Sequence, residues 1–427
     1  MGHARWAGKG ADRGCVVLGA VLVELVMAAV APMAAWSKEE VWDAGPGAAA
    51  YGQPGALGGA AAAWAESARR ALPGLPLDPG LARAAEACAR WLGEHAVAEL
   101  PPGLVELSLR WAGCSDPTAV SLLLLTSESS PDELWERLRE LRQRPGFRHT
   151  HWGFGAAESR RERFRTAWVA LLSERKVVLE PVPRAVETGQ SLHLVARWTG
   201  EALASPRLIV LLPGETTREL AAKVEGGVAT VATGALREAG EYTLELLADG
   251  AFGPEVLALL AIQVGGQPAT TWSSPVVSRI VPITAVEAER YLLDLANAER
   301  RRLNLAPLIV DTRLRAMARA HSTDMVEAGF FGHRSPRRGD FGERFHASGW
   351  RALRAAENLS KSESILEVHA GLMASPAHRS NLLSPHFTHV GIGVATRKGE
   401  LDRVEFVVTQ VFALPMPGTT LAPDGPP

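Results

Sequence analysis

Apolar residues recur at helical spacing in two well-separated parts of the chain. Leu81, Ala84, Cys88 and Leu92 fall at intervals of three and four, and so do Leu314, Met317, His321 and Met325. Each set is the stripe of an amphipathic helix. Ahead of the second, Leu292, Leu293, Leu295, Ala296 and Leu303 predict another helix over 284–303, closed by Asn304, a residue that tolerates the left-handed conformation. Gly329 ends the helix that begins at Leu314. Between the two regions the period changes to two. The runs SLHLVARW, RLIVLLP, GVATVAT, EYTLELLA and EVLALLAIQV alternate and are separated by Gly, Pro and charged turns. That pattern predicts a small antiparallel β-sandwich over about 179–266.

An internal repeat organises the rest. Leu77-Asp78-Pro79-Gly80-Leu81 resembles Val310-Asp311-Thr312-Arg313-Leu314, which follows it by 233 positions. Farther on, Thr150-His151-Trp152-Gly153-Phe154-Gly155 resembles Thr388-His389-Val390-Gly391-Ile392-Gly393 at an offset of 238. In both places a charged turn and a strand-like run follow, FRTAWVALL and VEFVVTQVF. Two similar blocks in the same order predict two related domains, 72–178 and 284–414. In the sandwich between them, the segment Glu238-Ala239-Gly240-Glu241-Tyr242 resembles the tyrosine corner of immunoglobulin-like folds. Residues 267–283 are rich in Pro, Ser and Thr and read as a linker, which implies some independence of the last domain, and 415–427 read as a disordered tail.

Composition narrows the picture. The 427 residues suffice for several cores, and 47% hydrophobic with 22% charged residues is a globular balance. A net charge of −2 supplies no field for nucleic acid, so none is expected as a partner. Three cysteines (Cys15, Cys88, Cys114) make neither a disulfide scaffold nor a CxxC pair; Cys88 and Cys114 read either as bonded to each other or as buried thiols. At the N-terminus, Arg5, Lys9 and Arg13 precede the apolar run CVVLGAVLVELVMAAVAPMAA, which ends in small residues. Residues 1–35 therefore read as a signal peptide cleaved near Ala34 or Ala35, or as an N-terminal anchor, with membrane contact only through this segment if it is uncleaved. The expected location is outside the cytoplasm: secreted, periplasmic or at the cell envelope. The Gly/Ala/Pro-rich residues 36–71 read as a flexible spacer.

The last domain carries the distinctive residues. They are Asn297-Ala298-Glu299-Arg300, Pro307-Leu308, Asp311, Ala320-His321-Ser322-Thr323-Asp324-Met325, Phe331-Gly332-His333, Glu357-Asn358, Ser375-Pro376-Ala377-His378-Arg379-Ser380-Asn381-Leu382-Leu383, Phe387-Thr388, Gly391-Ile392-Gly393 and Gln410-Val411-Phe412. This ordered series resembles the bacterial, SCP-like branch of the CAP superfamily (cysteine-rich secretory proteins, antigen 5, pathogenesis-related proteins). The resemblance implies an α-β-α sandwich for 284–414, and so a multidomain α+β chain. Its parts would be a degenerate CAP-like α/β domain, an immunoglobulin-like β-sandwich and a C-terminal CAP-like domain. It also implies export, and a cleft of two His and two Glu able to hold a divalent cation. By motif, the first His corresponds to His333, the first Glu to Glu357 and the second His to His378. The second Glu has no counterpart. Ser375 stands in its place, and Ala356 replaces the usual Gly before Glu357.

Residue chemistry leaves these positions open. Two imidazoles and one carboxylate are the minimum for a zinc with a free position for water, so His333, His378 and Glu357 are the candidate metal ligands. None of them has the short spacing of a metal motif such as HExxH, and a structural polar network is the preferred reading of all three. Ser375 reads as a nucleophile beside His378 or, before Pro376, as a helix N-cap. His321 is a further cleft candidate or a core histidine, and Asp324 three residues on reads as a group that orients it or, more commonly at such a position, as an exposed helical acid. In the first copy Cys88 stands where His321 would be, and the other cleft residues have no counterparts. The expected function is a binding module for a lipid or protein ligand. The alternatives are a metal-dependent extracellular hydrolase using His333, Glu357 and His378, and a structural envelope spacer.

Overall fold

The computed structural model describes residues 15–16, 39–43, 45–53, 55–95, 99–160, 163–275, 284–399 and 403–419. The segment 1–35, expected to be a signal peptide or anchor, lies outside them apart from Cys15–Val16, which pair with the end of the strand Val120–Thr126. No helix among the described residues is long and apolar enough to cross a membrane.

In the C-terminal unit, Asp311 caps the helix Thr312–Ala328 by accepting from the amides of Arg313 and Leu314, and Gly329 ends it in the left-handed region. Thr284 and Glu287 form a capping box that starts the helix Ala285–Arg302. The sheet between the helices runs in the order Ile309–Val310, His389–Lys398, Val404–Pro415, Ala352–Ser362; the first pairing is parallel and the others antiparallel. Alternation along Val404–Pro415 sorts its side chains. Phe406, Val408 and Phe412 pack with the helices Ala285–Arg302, Ile365–Ala374 and Pro376–Leu382, while Val407, Val411 and Ala413 pack with Thr312–Ala328 and the aromatic residues about Trp350. The result is three layers, helix on sheet on helix.

The first unit repeats that arrangement. Its sheet runs from the bridge at Leu77, parallel to Trp152, through His151–Glu158 and Thr166–Ser173 to Val120–Thr126. Helices Pro79–Glu94 and Leu104–Ala112 cover one face, and Gly59–Ala63, Ala65–Ala71 and Asp132–Arg142 the other. The glycine pairs follow from this packing. Gly391 and Gly393 lie against the backbone of Leu314–Arg315 and Ala318–Arg319, and Gly153 and Gly155 against Leu81–Ala82 and Ala85–Glu86, so that a Cβ at any of the four would overlap a helix backbone. The adjoining pairs also match: Thr150 Oγ1 bonds His151 Nδ1 at 3.0 Å, and Thr388 Oγ1 bonds His389 Nδ1 at 2.9 Å.

Two sheets form the central unit. One orders Lys223–Glu225, Val228–Ala235, Ser191–Trp198 and Val177–Leu179; the other orders Thr217–Ala221, Ala204–Leu211, Gly240–Gly250, Gly253–Val264 and Ala185–Val186. Tyr242 is buried, and its hydroxyl accepts from the amide of Glu238 at 3.1 Å.

Several expectations change. The described residues of 36–71 are not a flexible spacer. Tyr51 is fully buried in the sandwich core, with its hydroxyl bonded to both the amide and the carbonyl of Ala261, and Ala61, Ala68 and Ala71 belong to the first core. Small side chains look like disorder in a sequence, whereas here they let helices sit close to a sheet. The linker 267–283 begins as structure, since Thr271–Pro275 pair with Glu39–Asp43. Cys88 and Cys114 are both free and buried, and the Cys88 thiol meets the Ser108 hydroxyl at 3.5 Å. Of the expected tail 415–427, residues 415–419 are ordered by the bond from the Met416 amide to the Arg351 carbonyl, and 420–427 lie outside the described residues.

Candidate functional site

The edge strand Ala352–Ser362 carries Glu357 and Asn358 near its midpoint, opposite Val411 and Gln410 of the neighbouring strand. In the first unit the positions opposite the equivalent strand are held by Ser121 and Leu122, so that unit has no such acid. The Glu357 side chain is 1% exposed, and its two oxygens accept from Arg344 Nη2 at 2.7 and 2.6 Å. Arg344 stands on the short helix Phe341–Ala347, which is held by an Asp340–Glu343 capping box, and its Nη1 donates to the carbonyls of His333 and Gly339. His333 Nδ1 donates to Glu357 Oε1 at 3.0 Å and leaves the far edge of its ring at the surface. Burial pushes the Glu357 carboxyl up, but the His333 hydrogen bond and the Arg344 charge outweigh it and hold the group below the usual carboxylate range.

His321 is fully buried on the helix above. Its Nε2 meets the Gly332 carbonyl at 3.0 Å, and since a carbonyl only accepts, this nitrogen carries the proton. Burial lowers its pKa and keeps the ring neutral. Its Nε2 lies 4.0 Å from Glu357, and it fixes the loop that carries His333. Asp324 is not an exposed acid: it is 3% exposed and accepts from the Ser335 hydroxyl at 2.5 Å, and that hydroxyl in turn accepts from the amides of Arg337 and Arg338.

His378 belongs to a different set of bonds. Ser375 caps the helix Pro376–Leu382, accepting from the His378 amide at 3.3 Å, which resolves Ser375 as a cap. The His378 carbonyl accepts from Asn358, which also meets Gln410 and Asn381. Burial lowers the His378 imidazole to about 4, with the His333 charge adding to the effect, so the ring is neutral.

His333, Glu357 and His378 therefore share a region without forming a ligand set. Among the described residues no group of three or more His, Cys, Asp or Glu could hold a metal ion. A divalent cation at Glu357 would meet a guanidinium that already contacts both oxygens, so the residues present do not fit the metal. Other members of the motif series turn out to be architectural. Asn297 pairs with the Leu308 backbone, and buried Arg300 donates to the carbonyls of Ala306, Leu382, Ser384 and Phe387, which fixes the loop after the His378 helix.

Sequence reasoning missed two groups. Arg344 lies in an unremarkable charged helix, and its one signal is a position 13 residues before Glu357 in a loop-rich stretch. Glu245 comes from the central sandwich and is fully buried. Its carboxylate accepts from the Ser375 hydroxyl at 2.5 Å and from the Ala377 amide at 3.0 Å.

Residues 293–412 match the CAP family model, the cysteine-rich secretory protein family. The uncharacterized protein YkwD of Bacillus subtilis is 37% identical over 113 residues, which are 26% of this chain and 44% of YkwD, so the chain spans less than half of that relative. An extracellular protein containing an SCP domain from Bacillus anthracis is 23% identical, over 42% of this chain and 65% of that one, with a TM-score of 0.27. An outer surface protein of Borrelia burgdorferi is 22% identical, over 31% of this chain and 97% of that one, with a TM-score of 0.28. The C-terminal domain of this chain, with Glu357 and its neighbours at its centre, belongs to the CAP superfamily.

Proposed function

We propose that the chain is an exported protein whose CAP domain acts as a binding module, for a lipid or a protein, outside the cell or at its envelope. The observation that carries this reading is the Arg344–Glu357 pair. The carboxylate a hydrolytic metal would need is already neutralised by a fixed guanidinium, and His333 is engaged by the same oxygen. What the cleft offers instead is a rigid, hydrogen-bonded floor suited to recognition. Export rests on the basic, apolar and small-residue order of residues 1–35. In this reading residues 72–178 are a degenerate CAP-like copy, with Cys88 in the place of His321 and Ser121 in the place of Glu357. Residues 179–266 are an immunoglobulin-like domain, supported by the Tyr242–Glu238 bond.

A calorimetric zinc titration of the full chain tests the choice against a hydrolase. The expected result is no saturable heat and no metal-dependent ester or peptide hydrolysis. Micromolar zinc binding that disappears in His333→Ala/His378→Ala, together with metal-dependent hydrolysis, would overturn the binding reading.

A further inference from the structure

The strand Gly240–Gly250 is buried on both faces. Tyr242, Leu244, Leu246 and Ala248 alternate into the sandwich core, as the period-two pattern requires. The residues between them should face water in a two-layer sandwich. Instead Thr243 is 8% exposed, Glu245 0% and Leu247 6%, because the helix Pro376–Leu382 of the CAP domain packs on that side.

Three contacts fix the hairpin Gly240–Val264 and its sheet across the region between His378 and His333. The first is Glu245, whose hydrogen-bond donors among the described residues are the Ser375 hydroxyl and the Ala377 amide, both from the CAP domain. A buried carboxylate is costly unless hydrogen-bonded, so this residue is satisfied only when the two domains are docked. The second is Glu215, held at φ +63 in a turn, whose two oxygens each lie 2.6 Å from an Arg379 nitrogen. A non-glycine residue in the left-handed region is uncommon, and here it coincides with the contact. The third is the hairpin tip. The Phe252 carbonyl accepts from the Arg334 amide at 2.8 Å, its ring lies 5.3 Å from the Phe330 ring, and Gly332 approaches so closely that a Cβ there would overlap the Phe252 backbone. Gly253 lies beside His333, where an added Cβ would come within 3.2 Å of the His333 Cβ.

We infer that the CAP cleft rim receives polypeptide: a β-hairpin bearing an inward acid and a tip aromatic. The resident occupant is the sandwich hairpin of this same chain, which an outside protein must displace. The inference rests on the binding-module reading and narrows its ligand class. The side chains that meet the hairpin are a hydroxyl, a guanidinium and an aromatic ring, with two backbone amides beside them. These are the groups that recognise a strand with a carboxylate, and the area they cover is unavailable to an acyl chain while the hairpin is seated.

The test uses the full chain, wild type and Glu215→Arg/Glu245→Ala. Its two probes are a cyclised peptide of residues 240–264 and vesicles of phosphatidylcholine with phosphatidylglycerol. Amide exchange should rise at least tenfold in 330–336 and 375–383 of the variant, while strand Ala352–Ser362 stays protected. The variant should bind the peptide at least tenfold more tightly than the wild type does. Glu215→Arg alone should loosen the rim, and Glu215→Arg/Arg379→Glu should restore it, which separates loss of docking from misfolding. Unchanged rim exchange, or a variant that binds neither probe, overturns the inference. Binding to vesicles and not to peptide also overturns it, while leaving the binding-module reading intact; metal-dependent hydrolysis would overturn that reading itself.

Discussion

Replacing Arg344 by Met probes the centre of the CAP domain most directly. The substitution keeps much of the side-chain volume but removes the cation whose Nη2 lies 2.6 and 2.7 Å from the two Glu357 oxygens, and with it the donors to the His333 and Gly339 carbonyls. Glu357 is then left 1% exposed with His333 as its remaining partner. Breaking a buried ion pair by removing one member costs about 3–5 kcal/mol. At about 1.4 kcal/mol per decade, protection factors of amides in Ala352–Ser362 should fall by about 10² to 10⁴. The pH dependence supplies the sign. In the wild type the Glu357 pKa is depressed, so its contribution is present above the ordinary carboxylate pKa and is lost as pH falls through the folded value. In the variant burial acts unopposed by Arg344 and raises that pKa; the penalty is then full at neutral pH and shrinks as Glu357 takes up a proton. The difference in protection between wild type and variant should therefore narrow from pH 8 to pH 4. Adding Glu357→Gln to the variant should recover most of the loss at pH 7, because no charge is then buried. A loss of less than about threefold, or one that is constant across that range, would refute the reasoning.

Other consequences are as direct. Gly391→Ala and Gly155→Ala should each lower thermal stability, by about 1–3 kcal/mol or more, since the added methyl meets helix backbone that cannot rotate away; calorimetry showing wild-type unfolding would contradict the packing of both glycines. Burial pushes the Cys88 thiol up to about 12 and raises that of Cys114 as well, so both should resist a thiol reagent in the native chain and react in urea; peptide mapping that finds them joined would disprove the free state. Burial lowers His369 to about 4, so the unfolded chain binds a proton that the folded one refuses. Stability should fall as pH drops from 6.5 towards 4, and the fall should be shallower in His369→Leu; parallel curves would show that His369 takes no part.

Legibility followed the range of the interactions involved. The helix Thr312–Ala328 is readable because its stripe, its Asp311 cap and its Gly329 stop all lie in one short run of sequence. Both glycine pairs are readable as motifs, and the close approach of helix to strand explains them. The parts that fail are long-range. The alanines at 59–71 look like spacer because composition alone does not show which apolar surface lies opposite, and here it is the Trp152 and Trp168 face of the first sheet with Trp135 of the helix Asp132–Arg142. Asp324 looks exposed because Ser335, its partner, lies beyond a glycine turn that spacing does not resolve.

The most consequential omission concerns the alternating run EYTLELLA. A glutamate at an outward position of a sandwich strand looks like ordinary solvent-facing chemistry, and nothing within the run says otherwise. Its partners Ser375 and Ala377 lie 130 and 132 residues away, in a domain that folds around its own core. The sheet that carries it also meets the first unit, through the Leu259 amide donating to the Ser115 carbonyl at 2.9 Å. A sheet closed on both faces cannot serve as a loose spacer, because separating either neighbour would expose Ile209, Leu247 or Leu259, which are 8%, 6% and 5% exposed, and would strip Glu245 of its donors. The central unit therefore joins its two neighbours, and Glu215, Glu245 and Phe252 tie it to the segments of the CAP domain that carry His378 and His333.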